Sequence, residues 1–284
     1  MNDFNFNKKI KRILMKKNIR LSPSKSQYIL LDKEILNQEV DVCKVSEEDE
    51  VVEIGAGVGN LTKLLAEKSK KVIAVENDKQ LTLILKNELK DYSNVEILRE
   101  DVLKLENSIF DNRKIVSNPP YHISSPILMK ILQSKYKCCA ITFQLEFGER
   151  LVASPGSNEY SRLTLRANYK AAIQFIRIIK KDKFYPVPKV DSVLLKIIPK
   201  EPIIKVDDEE KYFRLVNKLF NHKNQLLKKV IRNELKKRDI SRDILDRTID
   251  GLPFSAIRIR NLDHVKLKEI YDYLNKLDDE LKIF

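Results

Sequence analysis

Asn118-Pro119-Pro120-Tyr121 is a group of residues suited to holding a planar amine. The Asn118 side-chain oxygen can accept one N–H, and the Pro119 carbonyl can accept the other. Two consecutive prolines, with fixed φ and no N–H of their own, stiffen the presentation of that carbonyl. Tyr121 offers a ring face on which a base can stack. A conjugated exocyclic amine is a poor nucleophile. A catalyst therefore gains by placing the nitrogen and stabilising the positive charge that grows on it, more than by first removing a proton. His122 adjoins the motif and reads as part of the wall, and no nucleophilic side chain is needed.

A second constellation lies upstream. Gly55, Gly57 and Gly59 follow an apolar run and open a helix-like one, which permits a tight turn and close approach of a ligand to the backbone. Glu76 lies at the end of the next apolar run, where a carboxylate can accept from both hydroxyls of a ribose. Asp101 follows the third run, where it could accept from an adenine amino group or merely cap a turn. Two nucleoside cofactors fit this order of residues, a nicotinamide dinucleotide and S-adenosylmethionine. The first leaves Asn118 to Tyr121 without a role. The second supplies a methyl electrophile for the amine they would hold.

The elements that must position these groups alternate. Strands are predicted at 50–54, 71–76, 95–98, 115–117 and 138–143, with helices at 60–69, 78–89 and 125–133 between them. That rhythm is a parallel sheet covered on both faces, and right-handed crossovers bring Glu53, Glu76, Asp101 and Asn118 to one rim. Two longer β-branched runs, 171–179 and 190–198, read as a hairpin-like pair at one side of the sheet. Pro199 and Pro202 mark a linker, after which helices are predicted at about 209–220, 223–237, 240–248 and 263–277.

With 284 residues, 43% of them hydrophobic, the chain can form one large domain and a smaller one. Its net charge of +13 suggests a polyanionic partner. The excess is clustered in residues 1–25 and again in 211–242. In the second cluster Lys223, Lys228, Lys229, Arg232 and Lys236 recur at helical spacing beside an apolar stripe of Leu226, Leu227, Val230, Ile231 and Leu235. Charge alone does not distinguish RNA from DNA. Three scattered histidines and Cys43, Cys138 and Cys139, with no CxxC pair, give no metal-ligand pattern. No apolar run has membrane-spanning length.

Further motifs resemble one family. They are Ser22 to Leu30 with Gln27 in register, Glu53 to Gly59, Val75-Glu76, Asp101-Val102, the Asn118 tetrapeptide, Phe143 to Glu146, Tyr160 to Thr164, and Phe184-Tyr185-Pro186-Val187-Pro188-Lys189-Val190-Asp191-Ser192. From about Leu21 onward the chain resembles the ribosomal RNA adenine N6,N6-dimethyltransferases. The altered N-terminal motif, with no long extension, suggests an archaeal-type member. The resemblance implies an α/β, Rossmann-like class I S-adenosylmethionine-dependent methyltransferase domain at 21–200. A flexible basic arm at 1–20 would precede it, and a small all-helical RNA-binding domain at 201–284 would follow.

Its implied cofactor residues are Gln27, Tyr28, Ile29, Glu53, Gly55, Gly57, Glu76, Asp101, Val102 and Asn118, with S-adenosylhomocysteine as product and no metal. Asn118, Pro119 and Tyr121 would hold the amine, with Phe184 stacked on the adenine opposite Tyr121. The implied reaction dimethylates two adjacent adenosines near the 3′ end of small-subunit ribosomal RNA, as a step of ribosome biogenesis. The implied enzyme is a cytoplasmic monomer acting on the small subunit or its precursor. Pro119 departs from the family's usual Leu or Ile, and Ser26 from its usual Gly. Asn-Pro-Pro-Tyr also serves DNA adenine and protein glutamine methyltransferases. The remaining rivals are a resistance-type methyltransferase of large-subunit RNA, in which Phe usually replaces Tyr121, and a non-catalytic assembly factor.

Overall fold

The computed structural model describes residues 10, 12–15, 19, 21–238 and 240–277. They form two compact units, Met1–Gly148 with Ala171–Lys200, and Glu149–Lys170 with Glu201–Phe284.

The first unit is built on a 7-stranded sheet. In chain order its strands are β2 (Glu50–Ile54), β3 (Lys71–Val75), β4 (Val95–Leu98), β5 (Lys114–Ser117), β6 (Cys138–Gln144), β7 (Ala171–Ile179) and β9 (Ser192–Pro199). Their spatial order is β4-β3-β2-β5-β6-β9-β7. The first five are mutually parallel, and β9 and β7 close the edge antiparallel. β2 and β3 are buried beyond their first residue, and apolar there except for Glu53, as strands covered on both faces must be. Strand order reverses between β2 and β5, which places the ligand crevice at their C-terminal ends.

The β2–β5 register runs only through Val51↔Lys114 and Val52↔Ile115. Beyond it the buried Ser117 hydroxyl accepts from Ile54 N–H at 3.1 Å and donates to the Ile54 carbonyl at 2.7 Å. One side chain thus satisfies both backbone groups of Ile54 where the strands part.

Three helices connect these strands: α2 (Asn60–Ala66), α3 (Lys79–Glu88) and α4 (Ser124–Leu132). Asp78 caps α3, accepting from Gln80 and Leu81 N–H. A further helix, α1 (Lys33–Val42), lies upstream of the first predicted strand and buries Ile35, Leu36, Glu39 and Val40. A separate two-residue ladder joins β1 (Ile29–Leu30) to β8 (Phe184–Tyr185), pairing Ile29 with Tyr185 and Leu30 with Phe184. A Lys183–Asp32 ion pair at 2.7 Å flanks it.

The second unit is helical. Besides α7 (Glu209–Phe220), α8 (Leu227–Leu235), α9 (Arg242–Asp250) and α10 (His264–Lys276), it takes in α6 (Arg162–Lys170). The unit boundary falls inside α5 (Leu145–Val152). Residues 149–170, expected in the first domain, thus belong to the second. The reason is packing: Tyr169 stands edge-on to Phe213 at 5.2 Å in a core that also holds Leu165 and Tyr212. His264 serves this core by bridging the Tyr212 hydroxyl and the Leu165 carbonyl, each at 3.0 Å.

Most of the expected basic arm lies outside the described residues. Within it, Ile10 and Leu14 are buried in a cluster with Ile29, Leu31, Val58 and Leu81, so this part is anchored to the first unit. α8 starts at Leu227, four residues later than expected. Leu226 is extended (ψ 142°) and bridges Arg258 instead.

Candidate active site

At the C-terminal rim of β2, β3, β4 and β5 lies a cavity of about 470 Å³. Gly55 and Gly57 line it just after β2, with Glu76 just after β3, Asp101 and Val102 after β4, and Asn118 and Pro120 after β5. Gln27, Tyr28 and Ile29 line its other side. All the residues named for the cofactor therefore converge here except Glu53, which is buried behind the glycine turn and does not line the cavity.

The glycines are needed for conformation and for space. Gly55 and Gly57 have φ of 74° and 58°, where side chains strain the backbone. A Cβ on Gly55 would stand 3.1 Å from Pro120 Cδ, so the turn and the tetrapeptide are packed against each other. Glu76 fixes the turn: its two carboxylate oxygens accept from Gly57 and Asp78 N–H, each at 2.8 Å. Burial raises its carboxyl above the usual range, opposed by those two hydrogen bonds. Each oxygen keeps a lone pair with which to accept from a sugar hydroxyl.

Gln27 acts on the chain around it. Its amide donates to Asp78 at 3.2 Å and its carbonyl accepts from Ser22 N–H at 2.9 Å, which clips the N-terminal segment to the cap of α3. Asp101 accepts from Leu103 N–H at 3.0 Å.

Asn118 is the most informative residue of the site. Its Nδ2 donates to Glu39 Oε2 at 2.8 Å, while its Oδ1 is buried with no hydrogen-bond partner. Of the seven buried side-chain atoms without a partner among the described residues, only Asn118 Oδ1 belongs to a residue that lines this cavity, which makes it the candidate acceptor for a ligand's donor. Pro119 is buried, and the Tyr121 hydroxyl pairs with Ser192 at 2.6 Å. Burial pushes the Tyr121 phenol up to about 12, so it stays neutral.

The expected clamp of Tyr121 with Phe184 is not the arrangement found. Phe184 is 3% exposed and belongs to a core cluster with Leu30, Ile179 and Leu194, where its pairing with β1 holds it. The ring beside Tyr121 is Tyr28, with centroids 5.5 Å apart and planes tilted by 31°.

Sequence reasoning missed Glu39. It is fully buried, and it accepts from Thr142 Oγ1 at 3.0 Å as well as from Asn118. Burial pushes its carboxyl up to about 8. Glu53 is also pushed to about 8 by burial, with Glu39 and Glu76 adding to the effect. The available signal was a carboxylate on the apolar face of α1, four residues after Ile35 and three after Leu36.

In the helical unit, Lys228, Lys229 and Arg232 line one surface groove, with Asn233 and Ser255. Lys236 lines a different one, beside His222 and Lys237. Lys223 lies before α8, and its ammonium is taken by the carbonyls of Asn158 and Tyr160 at 2.6 and 3.4 Å. Four of the five cations therefore line two grooves that share Asn233, and the fifth, Lys223, is engaged by backbone carbonyls. Among the described residues no cluster of His, Cys, Asp and Glu could hold a metal, and no helix is long and apolar enough to cross a membrane.

The family model described as ribosomal RNA adenine dimethylase matches residues 18–252. The chain belongs to that family. It is 36% identical over 269 residues to the probable ribosomal RNA small subunit methyltransferase A of Pyrococcus abyssi, covering 93% of this chain and 96% of the relative. It is 34% identical over 265 residues to the ribosomal RNA small subunit methyltransferase A of Clostridium acetobutylicum, covering 91% and 93%. Among solved structures, a dimethyladenosine transferase from Plasmodium falciparum superposes with a TM-score of 0.73 at 28% identity, covering 88% of this chain and 97% of that one. The dimethylase match spans every residue that lines the cavity, from Leu21 to Ile123, and also α8 with Lys228, Lys229 and Arg232.

Proposed function

We propose that this chain is the small-subunit ribosomal RNA adenine N6,N6-dimethyltransferase of its source, using S-adenosylmethionine. The target is two adjacent adenosines near the 3′ end of that RNA, presented in the small subunit or its assembly precursor. The observation that carries this reading is the orphaned Asn118 Oδ1 at the wall of a cavity lined by Gly55 and Gly57. The names of its relatives support the substrate class.

The residues present fit a nucleoside cofactor. Glu76 offers buried acceptor capacity, and the glycine turn leaves no Cβ where a ligand must approach the backbone. When bound, S-adenosylmethionine supplies an electrophilic sulfonium methyl. The chain's own part is to place the amine and to stabilise charge. Asn118 Oδ1 accepts one amine N–H, and the Pro119 carbonyl is the second acceptor. Both would favour the positive charge that builds on nitrogen as the new C–N bond forms and the methyl–sulfur bond breaks, the excess proton then passing to water. In the second transfer only one N–H remains, and Asn118 is assigned to it. Tyr121 and Tyr28 supply the ring surface for the base.

The test is tritiated methyl transfer to small subunits lacking the modification, followed by nucleoside analysis. Labelled N6,N6-dimethyladenosine is the expected product. Unlabelled particles would favour a purely binding role. Asn118→Ala should lower the rate by at least about 100-fold, as loss of a transition-state acceptor does. Dimethyladenosine formed at the parent rate by that variant would remove Asn118 from the mechanism.

A further inference from the structure

Glu39 is a carboxylate that burial disfavours, and the fold retains it. It is fully buried on α1, among Ile35, Leu36 and Val40, where an aliphatic side chain would serve packing. Its hydrogen bonds are to the Thr142 hydroxyl on β6 and to the Asn118 amide, and both groups donate to it. Oε2 is an acceptor whether Glu39 is ionised or holds its proton on Oε1, on the Thr142 side, whereas an amide can present either its oxygen or its NH2. With an acceptor fixed behind it, Asn118 must turn Nδ2 inward. With Oε2 unprotonated, the reverse orientation would set Asn118 Oδ1 against Glu39 Oε2 and leave two buried acceptors opposed. The orientation observed follows from this: Nδ2 on Glu39, and Oδ1 buried without a protein partner.

We infer that Glu39 is a positioning residue for methyl transfer, fixing the Asn118 amide so that its oxygen is presented to the incoming amine. The inference rests on the reading of Asn118 as the amine acceptor. It assigns Glu39 no contact with substrate. It adds a part of the site supplied by α1 and braced by Thr142 on β6.

The experiment compares Glu39→Met, close to Glu in shape but without an acceptor that can hold the amide, with Glu39→Gln. The glutamine carbonyl can accept from Asn118 while its NH2 donates to Thr142 Oγ1. Measured on unmethylated small subunits, Glu39→Met should lower kcat roughly 10- to 100-fold, the cost of leaving the buried Asn118 amide without its partner. KM for the particle and the affinity for S-adenosylhomocysteine should stay within about threefold, since neither requires the amide to face the amine. Glu39→Gln should recover most of kcat. In an Asn118→Ala background, Glu39→Met should cost no further activity, because the route through which it acts is gone.

Three results would overturn the inference: Glu39→Met at the parent rate, Glu39→Gln as impaired as Glu39→Met, or an undiminished cost in the Asn118→Ala background. Should Glu39→Met not fold, Glu39→Leu takes its place in the same comparison. Inactivity of the parent on these particles would instead overturn the proposed function, so the two failures are distinct.

Discussion

At the scale of single residues, the site depends on groups that leave something open. Gly55 leaves out a Cβ, and Asn118 leaves an oxygen without a partner. Gly55→Ala would force an L side chain to φ near 74° and set its Cβ against Pro120. The left-handed backbone alone costs about 1–2 kcal/mol, and the contact adds to it by displacing the tetrapeptide. The expected outcome is a fall in S-adenosylhomocysteine affinity of at least about tenfold, read by calorimetry, with a lower Tm. Undiminished affinity would show that the turn and the tetrapeptide do not need their close packing. These residues were legible in the sequence because their chemistry is local: a glycine turn after a strand, and an amide before two prolines. Glu39 was not, since its role comes from Asn118 and Thr142, residues 79 and 103 positions away that only the fold brings near. The burial of Phe184 was hidden for the same reason, because it follows from the pairing of β8 with β1.

At the scale of elements, the parallel strands and their order of punctuation were readable from apolar runs of four to seven residues. Period and length suffice for buried strands. The two-residue β1–β8 ladder was not readable, since so short a pairing has no periodicity and depends on segments far apart in the chain. Neither was the parting of β2 and β5, which depends on one hydroxyl. Ser117→Ala removes both bonds to Ile54 and leaves a buried N–H and carbonyl unpaired. Each unsatisfied group costs about 1–3 kcal/mol. The variant should unfold several degrees lower and exchange its Ile54 amide hydrogen faster than the parent. Unchanged exchange at Ile54 would mean that the strands close their own ladder when the hydroxyl is gone. Because Gly55 and Asn118 directly follow these strand ends, cofactor affinity should fall with it.

At the scale of the whole molecule, two properties separate, stability and RNA attraction. Glu39 and Glu53 are both raised to about 8, burial being the main cause. Their folded-state values lie above the unfolded ones, so the native chain holds protons that the unfolded chain releases between about pH 4.5 and 8. Their contribution to stability therefore falls as pH rises through that window, by on the order of a few kcal/mol. Tm should decline between pH 5 and 8, and Glu39→Gln should flatten the decline. An equally steep decline in that variant would assign it to other groups. On the proposed function, RNA attraction would come from the net charge of +13, part of which the second unit carries on α8. Phosphate contacts release counterions, so each one lost should reduce the slope of log affinity against log salt by about 1. Lys228→Gln and Lys229→Gln, on exposed side chains of one groove, should each do so without changing S-adenosylhomocysteine affinity. Lys223→Gln should change the slope less, because the ammonium of Lys223 already serves the carbonyls of Asn158 and Tyr160, and its loss should appear in Tm instead. Equal slopes for Lys223→Gln and Lys228→Gln would mean that RNA draws Lys223 away from those carbonyls. A parent slope near zero would remove the basic face from RNA binding altogether.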